Sequence, residues 1–149
     1  MTDIVGQYLD LLDSQREAAF AALDGLKEER ILGTKCKDCG KVYVPARSFC
    51  PACFTDTTEW VDVPPRGTLV TWTLVNASWY GQVKQPPYIV ALIRLEGTDC
   101  DFHHYVDGFD ITDEKERKRK LKTGAKVKAV WSPAKNADIR DIAWFAPVK

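Results

Sequence analysis

Apolar side chains recur at three- and four-residue spacing through the first stretch of the chain: Ile4, Tyr8, Leu11 and Leu12, Ala19, Leu23 and Leu26. Asp10, Asp13, Arg16, Glu17 and Asp24 fill the other faces, as in an amphipathic helix. The pattern predicts a helical arm over residues 1–32. Ser14 with Glu17 spells a capping box, which allows two helices with a break near Asp13. Gly25 either costs the second helix about 1 kcal/mol relative to alanine or ends it early. The apolar stripe needs a cover, and the later β-rich part of the chain and another protein both qualify.

Beyond the arm the period shortens. Val42-Tyr43-Val44 is a brief β run broken by Pro45, and Thr57, Thr58 and Trp60 resemble a closing strand. Residues 61–67 carry Pro64 and Pro65, which impose extended geometry and make a stiff connector. Composition then shifts to β-branched and aromatic residues in five short blocks: Thr68–Val75, Tyr88–Leu95, Asp101–Val106, Lys126–Trp131 and Ile139–Phe145. In the first block both alternating faces are apolar enough to meet something. Between the third and fourth blocks, Thr112–Lys122 reads as a short helix, with Asp113 and Glu116 as a capping box and Gly124 as its stop. Three strands, a helix and two strands is the order of a five-stranded OB-type barrel. The fold class is therefore mainly β with α, divided into a helical arm (1–32), a ribbon (33–62) and a barrel domain (63–149).

Candidate chemistry concentrates in the ribbon. Four of the five cysteines form Cys36-x-x-Cys39 and Cys50-x-x-Cys53. Two residues between thiols let one tight turn aim both sulfurs at a single ion, with backbone N–H groups left to bond the thiolates. Two such knuckles complete a tetrahedral shell. Gly40 sits where the first knuckle must turn back, and Pro51 stiffens the second. A single such motif is shared with dithiol redox sites, but a close pair points to a metal. Zinc is the default and iron suits the same sulfurs. With all four positions filled by protein, the ion holds structure and activates no water. A segment this short buries too little to fold alone, so metal binding would make up the deficit.

Composition narrows the function classes. The 149 residues are 45% hydrophobic and 28% charged, as in a globular protein, with Lys+Arg and Asp+Glu at 21 each. A divalent ion on four thiolates would make the site about −2. That balance argues against nucleic-acid binding driven by a basic face. No run approaches a membrane span, the N-terminus is no secretory signal, and the thiol usage fits a reducing, cytoplasmic setting. Cys100, His103 and His104 are the material for nucleophilic catalysis, but their spacing guarantees neither a base in reach nor an oxyanion site. Strand alternation puts Cys100 and His104 on one face and His103 on the other. The loop between the first two blocks carries Trp79 and Tyr80, which either cap one end of the barrel or contact a ligand or partner.

With ribbon and barrel in sequence, the chain resembles the acyl-CoA-associated OB-fold proteins with a rubredoxin-like zinc ribbon, once catalogued as a domain of unknown function. The resemblance rests on CKDCG and CPAC, then GTLVTWTLVN, PPYIVALIRLEG and LKTGAKVKAVW. One departure is that residues 13–31 lack a short glycine-led approach to the ribbon. The resemblance implies a non-catalytic accessory subunit in a hetero-oligomer with a thiolase-fold enzyme, helping to form an acyl-CoA channel while the partner carries the catalytic residues. Some members accompany a hydratase or an aldolase instead. It makes CoA phosphates a target for the basic run at Arg117 and Lys118, for Arg47 and for Arg66, and an acyl group a target for Trp79 and Tyr80. The alternative class is a nucleic-acid-binding ribbon and OB-fold protein, in which Trp72, Trp79 and Tyr80 would stack bases.

Overall fold

The computed structural model describes residues 4–57 and 59–148, without the side chains of residues 4, 5, 8 and 11. The arm is one helix, α1 (Ile4–Lys27), running unbroken through Asp13 and Gly25. At 1.5 Å per residue it is about 36 Å long. Ser14 does not start a second helix, because continuing the ladder satisfies more backbone groups than a break would. The Ile4, Tyr8 and Leu11 part of the apolar stripe lies outside the described side chains. Of the rest, Leu23 and Leu26 pack on the main core. Ala18 rather than Ala19 is the buried alanine, while Leu9, Leu12 and Phe20 stand exposed at 54%, 44% and 60%.

The chain leaves α1 through a left-handed Glu29 (φ 59°) and enters β1 (Ile31–Lys35), two residues earlier than the helical pattern alone indicates. β1 is the centre of a three-stranded antiparallel sheet, flanked by β2 (Val42–Tyr43) and β3 (Glu59–Val63). β3 absorbs Val61, Asp62 and Val63, so the predicted connector shrinks to Pro64-Pro65. Thr58, assigned to a closing strand by the sequence, lies outside the described residues.

Five strands close the barrel in the order β4-β5-β6-β8-β7: β4 (Arg66–Val75), β5 (Tyr88–Leu95), β6 (Asp101–Val106), β7 (Lys126–Trp131) and β8 (Ile142–Pro147). The barrel thus follows the predicted OB order, with α2 (Glu114–Lys120) between its third and fourth strands. The last block differs from expectation, since Ile139–Asp141 is a 3₁₀ turn before β8. In β4 a register shift between Leu69 and Thr71 exchanges the two faces. Leu69 is buried before it; Trp72 and Leu74 pack inward after it, leaving Thr71 and Thr73 exposed rather than covered. Closure brings β4 beside both β5 and β7 at Gly67. A Cβ there would meet the Arg94 carbonyl oxygen at 2.3 Å, so only glycine permits the approach.

α2 departs from the sequence expectation at both ends. Asp113 caps it by accepting the Lys115 N–H at 2.8 Å. Glu116 turns instead toward Arg119 and Lys120, at 3.4 and 3.3 Å. The helix stops at Lys120, and Gly124 (φ 85°) donates its N–H to the Leu69 carbonyl as the chain swings into β7.

Ribbon and barrel share one core. Ile31, Val42, Val44 and Val63 of the ribbon join Leu69, Ile89, Ile93, Phe102 and Phe145 of the barrel in a single buried cluster with Leu26 of α1. The seam is hydrogen-bonded as well. Asp99 accepts the Val42 N–H through its carboxylate (2.8 Å) and donates its own N–H to the Val42 carbonyl (2.9 Å). One step on, the Cys100 thiol accepts the Val44 N–H (3.1 Å) and lies 3.2 Å from the Val44 carbonyl. Asp99 and Cys100 therefore extend the exposed edge of β2 much as another strand would.

Candidate metal centre

Each cysteine pair is built by the same local device. In the first knuckle the Gly40 N–H bonds the Cys36 carbonyl at 2.9 Å; in the second the Phe54 N–H bonds the Cys50 carbonyl at 2.8 Å. Both closing residues are left-handed, Gly40 at φ 72° and Phe54 at φ 57°. The turn geometry demands that conformation, which costs a glycine nothing and a phenylalanine about 1–2 kcal/mol. Between the knuckles, Thr34 pins the crossing chain by donating to the Arg47 carbonyl (2.8 Å) and accepting the Arg47 N–H (2.9 Å), and the Thr57 hydroxyl bonds the same carbonyl.

The result brings Cys36, Cys39, Cys50 and Cys53 together, with all four sulfurs within 4.8 Å of one another. The Cys39 and Cys50 sulfurs are 3.7 Å apart. A tetrahedral zinc shell with bonds of about 2.3 Å has sulfur–sulfur edges of about 3.8 Å, so the spacing fits. Cys36 and Cys50 are fully buried, whereas Cys39 is exposed.

Hydrogen bonds within the site also favour negative charge on two of the sulfurs. The Tyr43 hydroxyl donates to the Cys50 sulfur at 3.3 Å and, with backbone N–H groups, brings that thiol down to about 6. The Cys36 thiol is lowered by the Cys39 backbone N–H. Cys53 is pushed up to about 12, first by its hydrogen bond with Cys39, and Cys39 is raised as well. The surroundings thus favour the thiolate at Cys50 and Cys36 and the thiol at Cys53 and Cys39, and a divalent ion would displace whatever protons the four sulfurs keep. These four residues could hold a metal ion, and no position is left for a reactant.

The other sequence candidates fall in separate places. Arg47 is exposed on the ribbon, its guanidinium 6.0 Å from the Tyr43 ring centroid. Arg66 is paired with Glu96 at 2.7 Å, beside the ribbon–barrel joint. On α2, Arg117 donates to the Ile111 and Thr112 carbonyls at 2.6 and 2.9 Å, and Lys118 pairs with Glu114 at 2.5 Å. Arg119 and Lys120 share Glu116, so the six bases of residues 115–122 meet two acids and the helix face stays net basic. Trp79 and Tyr80 lie together on the 76–87 loop, 58% and fully exposed. Cys100 and His104 do not form a dyad: Cys100 is committed to Val44, while the His104 Nε2 lies 3.3 Å from the Ile139 carbonyl.

Sequence reasoning missed a cleft of about 560 Å³ beside the barrel, with Trp79 on its rim and His104 in its lining. Its lining comes from four separate segments of the chain, and alternation within any one of them does not reveal it.

A four-cysteine ribbon fastened along one seam to a closed five-stranded barrel defines a two-module class of protein. Residues 23–59 match the family model described as ChsH2, rubredoxin-like zinc ribbon domain, and residues 60–132 match ChsH2, C-terminal OB-fold domain. The chain belongs to this ChsH2 family of ribbon and OB-fold proteins.

Among curated relatives, a DUF35 domain-containing scaffold protein of Methanocaldococcus jannaschii is 37% identical over 67 residues, covering 44% of this chain and 48% of that protein. Its namesake in Methanothermobacter thermautotrophicus is 30% identical over 95 residues, covering 58% and 68%. The chain spans about half the length of the first of these. A solved DUF35-family structure of unknown function from Sulfolobus solfataricus is 26% identical, with a TM-score of 0.58 over 87% of this chain and 92% of that one. A chain of the Ltp2-ChsH2(DUF35) aldolase gives a TM-score of 0.60 at 21% identity, over 85% and 91%, a likeness of fold.

Proposed function

We propose that this chain is an accessory subunit, carrying a structural zinc ion on its four cysteines, that docks on a thiolase-fold enzyme in the cytoplasm and helps form the channel for its acyl-CoA. The observation that carries the docking part is the apolar face of α1. Leu9, Leu12 and Phe20 stand exposed on α1 alongside the face that packs on the core through Leu23 and Leu26. Three large apolar side chains on one face of a projecting helix suit burial in an interface. Family membership supports the reading, because its relatives include proteins named as scaffolds and a structure in which a ChsH2 chain accompanies Ltp2 as an aldolase. Trp79 and Tyr80 on the 76–87 loop suit an acyl group, and Arg47, exposed beside the knuckles, suits a CoA phosphate.

The test is native purification of the tagged chain, with identification of the co-eluting protein and activity assays of the two chains apart and mixed. The expected result is a thiolase-fold partner whose acyl-CoA turnover depends on this chain, which is inert alone. Thiolase turnover by the purified chain, or co-elution with a hydratase, would overturn it. Tight, salt-sensitive binding of a single-stranded oligonucleotide would favour the nucleic-acid reading instead.

A further inference from the structure

Tyr43 turns away from the two valines that flank it. Val42 and Val44 enter the core that ribbon and barrel share, whereas Tyr43 packs with Cys36 and Cys50 in a second, smaller buried cluster. Strand alternation requires this division. The valines are fixed from the barrel side by Asp99 and Cys100. The Arg47 guanidinium lies over the tyrosine ring. Tyr43 is thus held from several sides, with its buried hydroxyl 3.3 Å from the Cys50 sulfur.

A matching contact runs the other way. Thr55, just past the second knuckle, has its hydroxyl 3.7 Å from the Cys36 sulfur of the first. Tyr43, just past the first knuckle, reaches the second. Each contact therefore crosses between the knuckles and ends on the leading cysteine of a pair. Those two cysteines are the fully buried ones, whereas Cys39 is exposed. Each also accepts backbone N–H groups from its own knuckle, Asp38 and Cys39 for Cys36 and Ala52 and Cys53 for Cys50.

The charge of a filled site explains this placement. A divalent ion on four thiolates leaves about −2 on the sulfurs. Water can solvate an exposed sulfur such as that of Cys39. It does not reach Cys36 or Cys50, so the donors for those two must come from the protein. A thiolate has no proton to give, which makes the hydroxyls the donors. Outer contacts of this kind orient a ligand and tune its hold on the ion.

We infer that Tyr43 and Thr55 are positioning residues of the metal centre, each donating its hydroxyl from beside one knuckle to the buried thiolate of the other. The longer Thr55 contact is the weaker of the two. These roles rest on the reading of the four cysteines as a zinc site, and they belong to two residues that cysteine spacing does not reveal.

The test uses the full chain loaded with zinc, and the same chain exchanged to cobalt(II), whose sulfur-to-metal charge-transfer bands report on the thiolates. Zinc affinity is read by competition with a chromophoric chelator. Tyr43→Phe keeps the ring and removes the hydroxyl. It is expected to weaken zinc binding about 10-fold, the lower end of what losing an outer contact costs a metal site. Its cobalt bands should move to lower energy, because a thiolate that loses a hydrogen bond gives up an electron more readily. Thr55→Val should act in the same direction, with about 2- to 3-fold weaker binding. Tyr88→Phe removes a buried hydroxyl from the barrel, where it accepts from Gln82, and should change neither readout. If Tyr43→Phe does not fold, the bands and affinity of Thr55→Val decide. Unshifted bands or an unchanged zinc affinity in the deciding variant would overturn the inference and leave the zinc site standing. An unaltered chain that binds neither ion would overturn the zinc reading and these roles together.

Discussion

Single residues in this chain carry costs that their surroundings explain. Phe54 closes the second knuckle in a left-handed conformation with its side chain 82% exposed, so it accepts strain without visible packing in return. Phe54→Gly is expected to raise stability by a few tenths to about 1 kcal/mol, read as a higher urea midpoint at unchanged m-value. His104 bears a cost of another kind. Its pKa is lowered first by burial, with His103 and Lys84 opposing the charged form. Between this folded value and the unfolded value of about 6.5, the unfolded chain binds a proton that the native chain does not. The stability from keeping His104 neutral is therefore fully present above about pH 6.5 and is lost as pH falls from there through the folded value. Urea midpoints between pH 7.5 and 5 should decline more steeply for the native chain than for His104→Gln, which can still donate to the Ile139 carbonyl.

At the scale of elements, legibility in the sequence followed locality. Tyr88–Leu95, Asp101–Val106 and Lys126–Trp131 have in the structure the limits that alternation and turn residues mark out. The paired knuckles were equally plain, because turn and ligands lie within four residues of each other. What escaped depended on distant partners. The face exchange in β4 follows from its crossing between β5 and β7, and the commitment of Cys100 to Val44 follows from a seam 56 residues apart in sequence. The break that Ser14 allows does not form, because a capping box describes a possible start, while an uninterrupted helix satisfies the same N–H groups internally. The arm's apolar stripe is divided, with Leu26 buried, Leu23 partly buried and Leu12 exposed, and Leu9 and Phe20, which lie outside that stripe's spacing, are exposed as well. That division separates folding from docking. Leu12→Glu with Phe20→Glu should change the chain's own stability by less than about 1 kcal/mol, as surface substitutions do. The same pair should abolish co-elution with the partner enzyme. A large loss of stability in the isolated double variant would show instead that the stripe serves this chain's fold.

For the whole molecule, the shared core changes what the metal is expected to stabilise. A ribbon that folded by itself around its ion could melt and leave the barrel standing. Here Ile31, Val42, Val44 and Val63 lie in the same cluster as the barrel's Ile93 and Phe102, and Asp99 with Cys100 binds the β2 edge. Melting the ribbon would strip apolar cover from the barrel and leave buried backbone groups at the seam unpaired. The β5–β6 corner should loosen first. Zinc affinity in zinc-finger peptides corresponds to about 10–16 kcal/mol, the size of a whole domain's stability. Removing the ion with a chelator should therefore lower the thermal midpoint of the entire chain. The Trp72 and Trp131 signals of the barrel should move together with the ribbon's Trp60 signal in one transition. Cys50→Ser should behave in the same way, with metal content falling below one ion per chain, because the buried hydroxyl replaces the thiolate that Tyr43 supports. Mass spectrometry under native conditions reads the metal, and tryptophan-resolved fluorescence reads the melting. Two separate transitions, with the barrel unmoved by chelation, would mean that the seam is too weak to couple the modules and that the ion stabilises the ribbon alone.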